Sequence, residues 1–234
     1  MATILNIDTS SSICSVALAR EGETILGFES SQKMDHSSSL APFVEKCLEY
    51  LRSRNEKLDS VSVTSGPGSY TGLRIGLSLA KGLAFGLDIP LITISALEVM
   101  TVRAIFSYPE FSGNELIVPM MDARRMEVYT GTYDSALNLV EKERALILDE
   151  NSFQELEKAP KVLFIGDGTI KYEPIYPGEN AIWLGDKMAH AKYMGVLSEK
   201  YYREKKFSDV AYSVPNYLKE YQTTLPKNKV INND

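Results

Sequence analysis

Histidine and cysteine are scarce in this chain: its 234 residues hold two of each, His36, His190, Cys14 and Cys47. A histidine-based metal centre or a Ser-His-Asp triad needs an imidazole beside specific partners, so both are nearly excluded. The two cysteines stand at no metal or redox spacing, which makes a reducing, cytoplasmic compartment the expectation. No apolar run is long enough to span a bilayer. The start, Met1-Ala2-Thr3-Ile4-Leu5-Asn6-Ile7-Asp8, lacks a basic region and passes straight into a strand pattern, so no signal peptide is expected. Positive charge is also short: 25 Lys and Arg against 31 Asp and Glu leave a net charge of -6. That balance argues against a stand-alone nucleic-acid binder whose affinity rests on neutralising phosphates. What remains, 44% hydrophobic and 24% charged residues, is ordinary for a globular chain able to bury a good core in one or two domains.

The most informative stretch is Ser65-Gly66-Pro67-Gly68-Ser69-Tyr70-Thr71-Gly72-Leu73-Arg74-Ile75-Gly76, entered from the apolar run Val61 to Thr64. It reads as a strand, a glycine turn and a helix start. Glycines there let the backbone take positive φ and approach a ligand or another segment closely, and the first-turn N–H groups of the helix favour an anion. The spacing fits neither the Walker phosphate loop nor the dinucleotide fingerprint, so phosphate binding and a purely structural turn both stay open. From Gly72 to Gly86 only Arg74 and Lys81 are charged. Gly72, Gly76, Ala80 and Ala84 recur every four residues as a smooth stripe, beside a second stripe of Ile75, Leu79, Leu83 and Leu87. Such a helix is expected to be buried on more than one side, either in an ordinary core or against a partner chain.

Along the chain, Thr3 to Asp8, Ile13 to Ala19 and Thr24 to Glu29 predict a three-stranded antiparallel start with a turn at Arg20-Glu21-Gly22-Glu23. A helix is predicted over Ser37 to Leu51, with Leu40, Val44, Cys47, Leu48 and Leu51 on one face. The strand Val61 to Thr64, the glycine-led helix, the strand Leu91 to Ile94 and a helix over Ser95 to Ile105 then call for a parallel extension of the sheet. Residues 108–114 form a loop. Strands are expected at Leu116 to Met121, Glu127 to Tyr133, near Ala145 to Leu148, and at Lys161 to Ile165. Ser152 to Lys158 predicts a short helix with Ser152 and Glu155 in capping-box register, and Lys187 to Lys205 one long helix. The end is expected to fray from about residue 226.

The strand end Asp8-Thr9-Ser10, the glycine signature above and Ile89-Pro90-Leu91-Ile92-Thr93-Ile94-Ser95 resemble the TsaB (YeaZ) family. The match is densest over the first hundred residues; Met121-Asp122-Ala123-Arg124-Arg125 and Gly166-Asp167-Gly168 extend it more sparsely. The resemblance implies an α/β fold of the actin, sugar-kinase and heat-shock-ATPase kind, two-lobed, each lobe a mixed sheet with flanking helices. The lobes divide as residues 1–107 and 108–234, with the last helices within reach of the first lobe. It further implies a non-catalytic scaffold subunit that pairs with a TsaD-like enzyme. The joint product is threonylcarbamoyladenosine, next to the anticodon of transfer RNAs that read codons beginning with A. A TsaE-like ATPase would join a larger complex, transfer RNA would be met through that complex, and the isolated chain would form a homodimer. No cofactor would be bound tightly, since ATP and magnesium belong to the partner enzyme, and no membrane is involved. TsaD-like enzymes carry His-x-x-x-His after a similar helix and strand, and here Ala96 and Met100 fall at the two histidines, with Glu98 between them. A methyl group and a thioether cannot replace imidazoles for a hard or borderline metal.

The expected partner surface comprises Leu40, Val44, Cys47, Leu48, Leu51, Gly72, Ile75, Gly76, Leu79, Ala80 and Leu83, on the first two helices. A vestigial nucleotide cleft is placed at Asp8, Gly66 and Gly68; no metal site and no catalytic residue is expected. Asp8 either faces a nucleotide's metal, as in kinases of the superfamily, or bonds its own turn, and Thr9 to Ser12 read as turn chemistry. His36 reads as a helix flank, His190 as solvated, Arg124 and Arg125 as a turn salt bridge with Asp122, and the Lys200 to Lys206 cluster as a solvated face. The rival reading is an enzyme acting alone, an ATP-dependent phosphotransferase or a glycoprotease-like hydrolase of the same superfamily. A small-ligand sensor using the same cleft is a weaker third.

Overall fold

The computed structural model describes residues 2–30 and 36–219. Among the described residues ten strands form two five-stranded sheets. In the first, β1 (Thr3–Asp8), β2 (Cys14–Arg20), β3 (Glu23–Ser30), β4 (Ser60–Gly66) and β5 (Leu91–Ser95) lie in the order β3-β2-β1-β4-β5. In the second, β6 (Leu116–Asp122), β7 (Glu127–Tyr133), β8 (Leu139–Ile147), β9 (Val162–Ile165) and β10 (Ala181–Trp183) lie in the order β8-β7-β6-β9-β10. In both sheets the first strand pairs antiparallel with the second and parallel with the fourth, and the fourth pairs parallel with the fifth. The second sheet therefore repeats the first strand for strand, a duplicated two-lobed α/β architecture. Central strands β1 and β9 are buried along their whole length, as strands covered on both faces must be, whereas edge strands β3 and β8 are largely exposed or half-buried.

The helices follow from these faces. On one side of the first sheet, Leu5, Ile7, Val16, Leu18, Val61 and Val63 pack against α1 (His36–Ser53) and α2 (Tyr70–Leu87). On its other side, α3 (Ala96–Ser107) is wedged between the sheets. Ala96, Leu97, Val99, Met100 and Val102 meet Ala17, Ile92 and Ile94 of the first sheet, and Ile117, Met121, Leu163 and Ile165 of the second, in one core. Nearly every face of this helix is covered. The far side of the second sheet is filled by aromatics, where Phe164 stacks on Trp183 at 4.5 Å and meets Phe153, Tyr172 and Tyr176 edge-on.

After β10 the chain returns to the first sheet. Helix α5 (Gly195–Arg203) lies over β1 and β5, Ser208 bridges Leu91, and Lys81 Nζ donates to the carbonyls of Ala211 (2.9 Å) and Ser213 (3.1 Å). The long helix expected over Lys187 to Lys205 is thus broken. His190 Nδ1 accepts from Lys192 N (3.1 Å) and caps a single 3-10 turn over Ala191–Tyr193. Gly195 then passes so close to the β2–β3 turn that a Cβ there would stand 2.4 Å from Gly22 O. The capping box at Ser152 does not form either; its hydroxyl exchanges hydrogen bonds with Asp149, and the segment is a 3-10 turn over Gln154–Lys158. Strand β8 is longer than expected because Glu141, Lys142, Glu143 and Arg144 give a polar edge the look of a loop. Two short elements, α4 (Thr169–Tyr172) and β10, were not anticipated. The tail expected to fray lies outside the described residues, as do Met34 and Asp35 beside the flank residue His36.

Ala80, fully buried where α2 meets the first sheet, tests this packing. Ala80→Arg is expected to prevent folding, because an unpaired buried cation costs several kcal/mol, a large share of a domain's stability. Circular dichroism and soluble yield measure it; a folded variant with a native melting temperature would place Ala80 at the surface.

Candidate functional site

The carboxyl ends of β1 and β4 converge on the glycine turn. Asp8 is fully buried, and its Oδ1 accepts from Ser10 N (3.1 Å), Ser10 Oγ (2.7 Å) and Thr64 Oγ1 (2.7 Å). The turn reading of Asp8 therefore describes these bonds; its Oδ2 is buried with no partner among the described residues. The glycines are needed for close approach. A Cβ on Gly68 would stand 2.3 Å from Ser10 O, one on Gly72 2.2 Å from Thr9 O, and one on Gly76 2.3 Å from Thr9 Oγ1. Gly66, at φ 122°, would meet Asn216 O at 2.6 Å. Ser69 N donates to Ser10 O (2.7 Å), Thr9 Oγ1 donates to Gly72 O (2.8 Å), and Ser69 Oγ caps α2 by accepting from Gly72 N (3.2 Å). The glycines of the turn are thus used for the chain's own close packing, with the backbone of Thr9 and Ser10 seated against them.

At the start of α3, Ala96 and Met100 are both fully buried. The thioether end of Met100 rests on the second lobe, where a Cβ on Gly166 would come within 2.4 Å of Met100 Cε. Glu98 is nearly buried and accepts from Tyr201 OH through both oxygens (2.7 and 2.8 Å). Burial raises its pKa; the Tyr201 hydrogen bond and the charge of Lys206 oppose that rise, while Glu143 adds to it. Glu143 itself bridges the lobes, accepting from Ser95 Oγ and from Tyr133 OH (2.5 Å). Burial and Glu143 together hold the Tyr133 phenol above its ordinary range. Nothing in the sequence pattern pointed to Glu143, which sits on an edge strand among other charges.

The expected partner surface needs correction. Leu40, Val44, Cys47, Leu51, Gly72, Gly76 and Ala80 are buried inside this chain, against its own first sheet or the Thr9 segment. They present nothing to a partner; Cys47, its thiol pushed up to about 11 by burial, is a core residue. Leu48, Ile75, Leu79 and Leu83 are half-buried at the edge of this contact. The outward face of α2 carries a second stripe at the same spacing of four, Ser78, Gly82 and Gly86, all exposed. Gly82 and Gly86 have nothing within 4 Å of a Cβ position, and Phe85 beside them is 81% exposed. Both charges of α2 are turned to its own chain: Lys81 to the 211–213 carbonyls, and Arg74 to Tyr217 OH (3.2 Å) and the face of Tyr70 (4.0 Å). The open face of α2 thus carries the exposed Arg74 at its first turns and no charge from Ser78 to Gly86. Glycines 82 and 86 flanking a phenylalanine in a charge-poor helix were the signal available for it.

The remaining candidates also settle. His36 Nε2 lies 3.0 Å from Ser11 O, and His190 is not solvated but pairs with Glu29 Oε2 at 2.6 Å across the first sheet's edge. Asp122 is paired with Lys171 (2.6 Å) rather than with Arg124 or Arg125. Within the lysine cluster, Lys206 Nζ lies over the Tyr201 ring at 3.9 Å. No helix among the described residues is long and apolar enough to cross a membrane.

A family model described as TsaD, tRNA N6-adenosine threonylcarbamoyltransferase, matches residues 28–229. The tRNA threonylcarbamoyladenosine biosynthesis protein TsaB of Bacillus subtilis is 34% identical over 93% of this chain and 94% of its own. The tRNA N6-adenosine threonylcarbamoyltransferase of Thermus thermophilus is 33% identical over 41% of this chain and 34% of its own. The structure of YeaZ from Pseudomonas aeruginosa superposes with a TM-score of 0.78 at 28% identity, covering 93% of this chain and all of that one.

Two outcomes follow from the geometry. Gly68→Val is expected to lower stability by at least about 1 to 3 kcal/mol, since it sets a branched side chain against Ser10 O; an unchanged melting temperature would mean that the turn is relaxed. Because the folded pKa of Glu98 is raised, its ionisation opposes folding. The penalty is absent below the unfolded glutamate value of about 4.3 and develops as pH rises from there to the folded value. Glu98→Gln is therefore expected to be more stable than the parent at pH 7, with the difference shrinking as pH falls through that window, measured by melting curves across pH.

Proposed function

The chain belongs to the TsaB (YeaZ) family of transfer-RNA threonylcarbamoyladenosine biosynthesis proteins, and we propose that within that pathway it is a non-catalytic, cytoplasmic subunit that activates a TsaD-like transferase by binding it. The observation that carries this reading is the outward face of α2. An 18-residue helix whose outward stripe is uncharged from Ser78 to Gly86, and which exposes Gly82, Phe85 and Gly86 there, is built for close contact with another apolar helix. Leu48, Ile75, Leu79 and Leu83 line the margin of that face, so α1 and α2 together meet a matching helix pair. A stable contact of this kind buries on the order of 1,200 to 2,000 Å². The same face closes a homodimer when the enzyme is absent.

The non-catalytic assignment is supported by residue chemistry. Ala96 and Met100 offer no imidazole where the transferase carries its metal ligands, and Met100 is committed to packing on Gly166. The glycine turn commits its close approach and the Ser69 N–H to Ser10 O of the same chain. ATP and magnesium are accordingly assigned to the partner enzyme, with a TsaE-like ATPase in the larger complex and transfer RNA bound by the assembly.

Gly82→Arg tests the reading, since Gly82 faces open space and the variant is expected to fold. It is expected to lose both self-association and binding to the TsaD-like subunit by tenfold or more in Kd, as about 1.4 kcal/mol or more is lost when a cation is buried unpaired. Sedimentation velocity reads both, and the parent chain alone is expected to transfer no threonylcarbamoyl group. Native affinity in the variant would remove this face from the interface; turnover by the chain alone that disappears in Asp8→Ala would overturn the non-catalytic role.

A further inference from the structure

The turn between β6 and β7 holds two arginines in an unusual backbone. Arg124 and Arg125 have φ of 73° and 52°, the left-handed region that side chains other than glycine, asparagine and aspartate seldom adopt. The loop of the hairpin is Arg124-Arg125-Met126, and its two left-handed positions are ones that glycine and asparagine fill at lower cost. The turn is closed by Ala123 N donating to Glu127 O (3.0 Å), by Glu127 N donating to Arg124 O (3.1 Å) and by Arg124 N donating to Asp122 Oδ1 (2.5 Å). The backbone is thus well held, and two residues poorly suited to it occupy its tip.

A local salt bridge is the ordinary explanation for such arginines, and it does not apply. Asp122 is taken by Lys171 at 2.6 Å, Glu127 by Lys219 at 2.6 Å, and Asp167 Oδ1 accepts from Asp122 N at 2.7 Å. Asp186 stands beyond, beside Asp167. Arg124 contributes to the field at Asp122, but among the described residues no hydrogen bond or ion pair reaches either guanidinium, and both arginines are exposed. No carboxylate oxygen of the described residues is paired with either guanidinium, so the donor forks of both arginines are free to bind a group outside the chain.

Resting on the role in transfer-RNA modification given above, we propose that Arg124 and Arg125 contact phosphate groups of the RNA backbone. A guanidinium presents a planar fork of donors that fits phosphate oxygens in pairs. A chain of net charge -6 has no general attraction for a polyanion, so any contact must come from exposed guanidinium forks that the chain itself leaves unbonded. An exposed hairpin tip suits a continuous backbone lying across it better than a small nucleotide, which needs a cradle.

Fluorescence anisotropy of a labelled, unmodified transfer RNA tests this, with the chain and its TsaD-like subunit together and with the chain alone, across about 20 to 200 mM salt. In Arg124→Gln/Arg125→Gln the slope of log K against log salt is expected to fall by about two, one per phosphate contact, while sedimentation velocity shows native complex formation. An unchanged slope, or no binding by the parent protein in either format, overturns the proposal. Loss of complex formation assigns the arginines to a protein contact and overturns it, as does loss of ATP affinity with RNA binding intact. Failure of the parent chain to pair with the TsaD-like subunit is read separately by sedimentation and counts against the scaffold role; the arginine test then rests on the chain alone. Arg124→Asn/Arg125→Gly is expected to raise the melting temperature while showing the same reduced slope; a lower melting temperature with a native slope would make the arginines structural.

Discussion

The contact between the end of β1 and the first two turns of α2 governs much of this molecule. Backbone and hydroxyl atoms of Thr9 and Ser10 lie where side chains on Gly68, Gly72 and Gly76 would be, so the helix is pressed onto the strand end at a distance only glycine permits. That closeness fixes how α2 is rotated. With Gly72, Gly76, Ala80 and Ala84 inward, the faces displaced by half a turn must look outward, and Ser78, Gly82, Phe85 and Gly86 are what they carry. The phosphate-like motif and the helix's free surface are two results of one packing decision.

A parallel case is α3. Its buried neighbours come from both sheets, and Met100 reaches Gly166 across the junction. A flexible thioether fills an irregular gap well, and the lobes are joined there by apolar packing supplemented by Glu143 and its two hydroxyl donors.

Much of this was legible beforehand. Strands β1, β2, β4, β6, β7 and β9 announce themselves through apolar runs, and α1 through the spacing of Leu40, Val44, Cys47 and Leu51. The glycine signature marked the family. What was not legible depended on contacts distant in sequence. The small-residue stripe on α2 could face inward or outward with equal local logic, and only Thr9, more than 60 residues away, decides it. The helix expected across residues 187–205 breaks because Ser15 accepts from Ala191 N and Gly22 crowds Gly195. Strand β8 was under-read because pairing with β7, rather than burial, makes it a strand.

The returning segment gives the chain an order of assembly. Ala17, Ile92 and Ile94 on the first sheet share a core with Met194, Leu197 and Tyr201, Lys81 waits for carbonyls at 211 and 213, and Asn216 N closes on Ser65 O at 2.6 Å. A ribosome making this protein has released β1 to α3 long before it supplies these pieces. The first lobe therefore leaves the ribosome with one face uncovered and an apolar surface exposed until nearly all of the chain has followed.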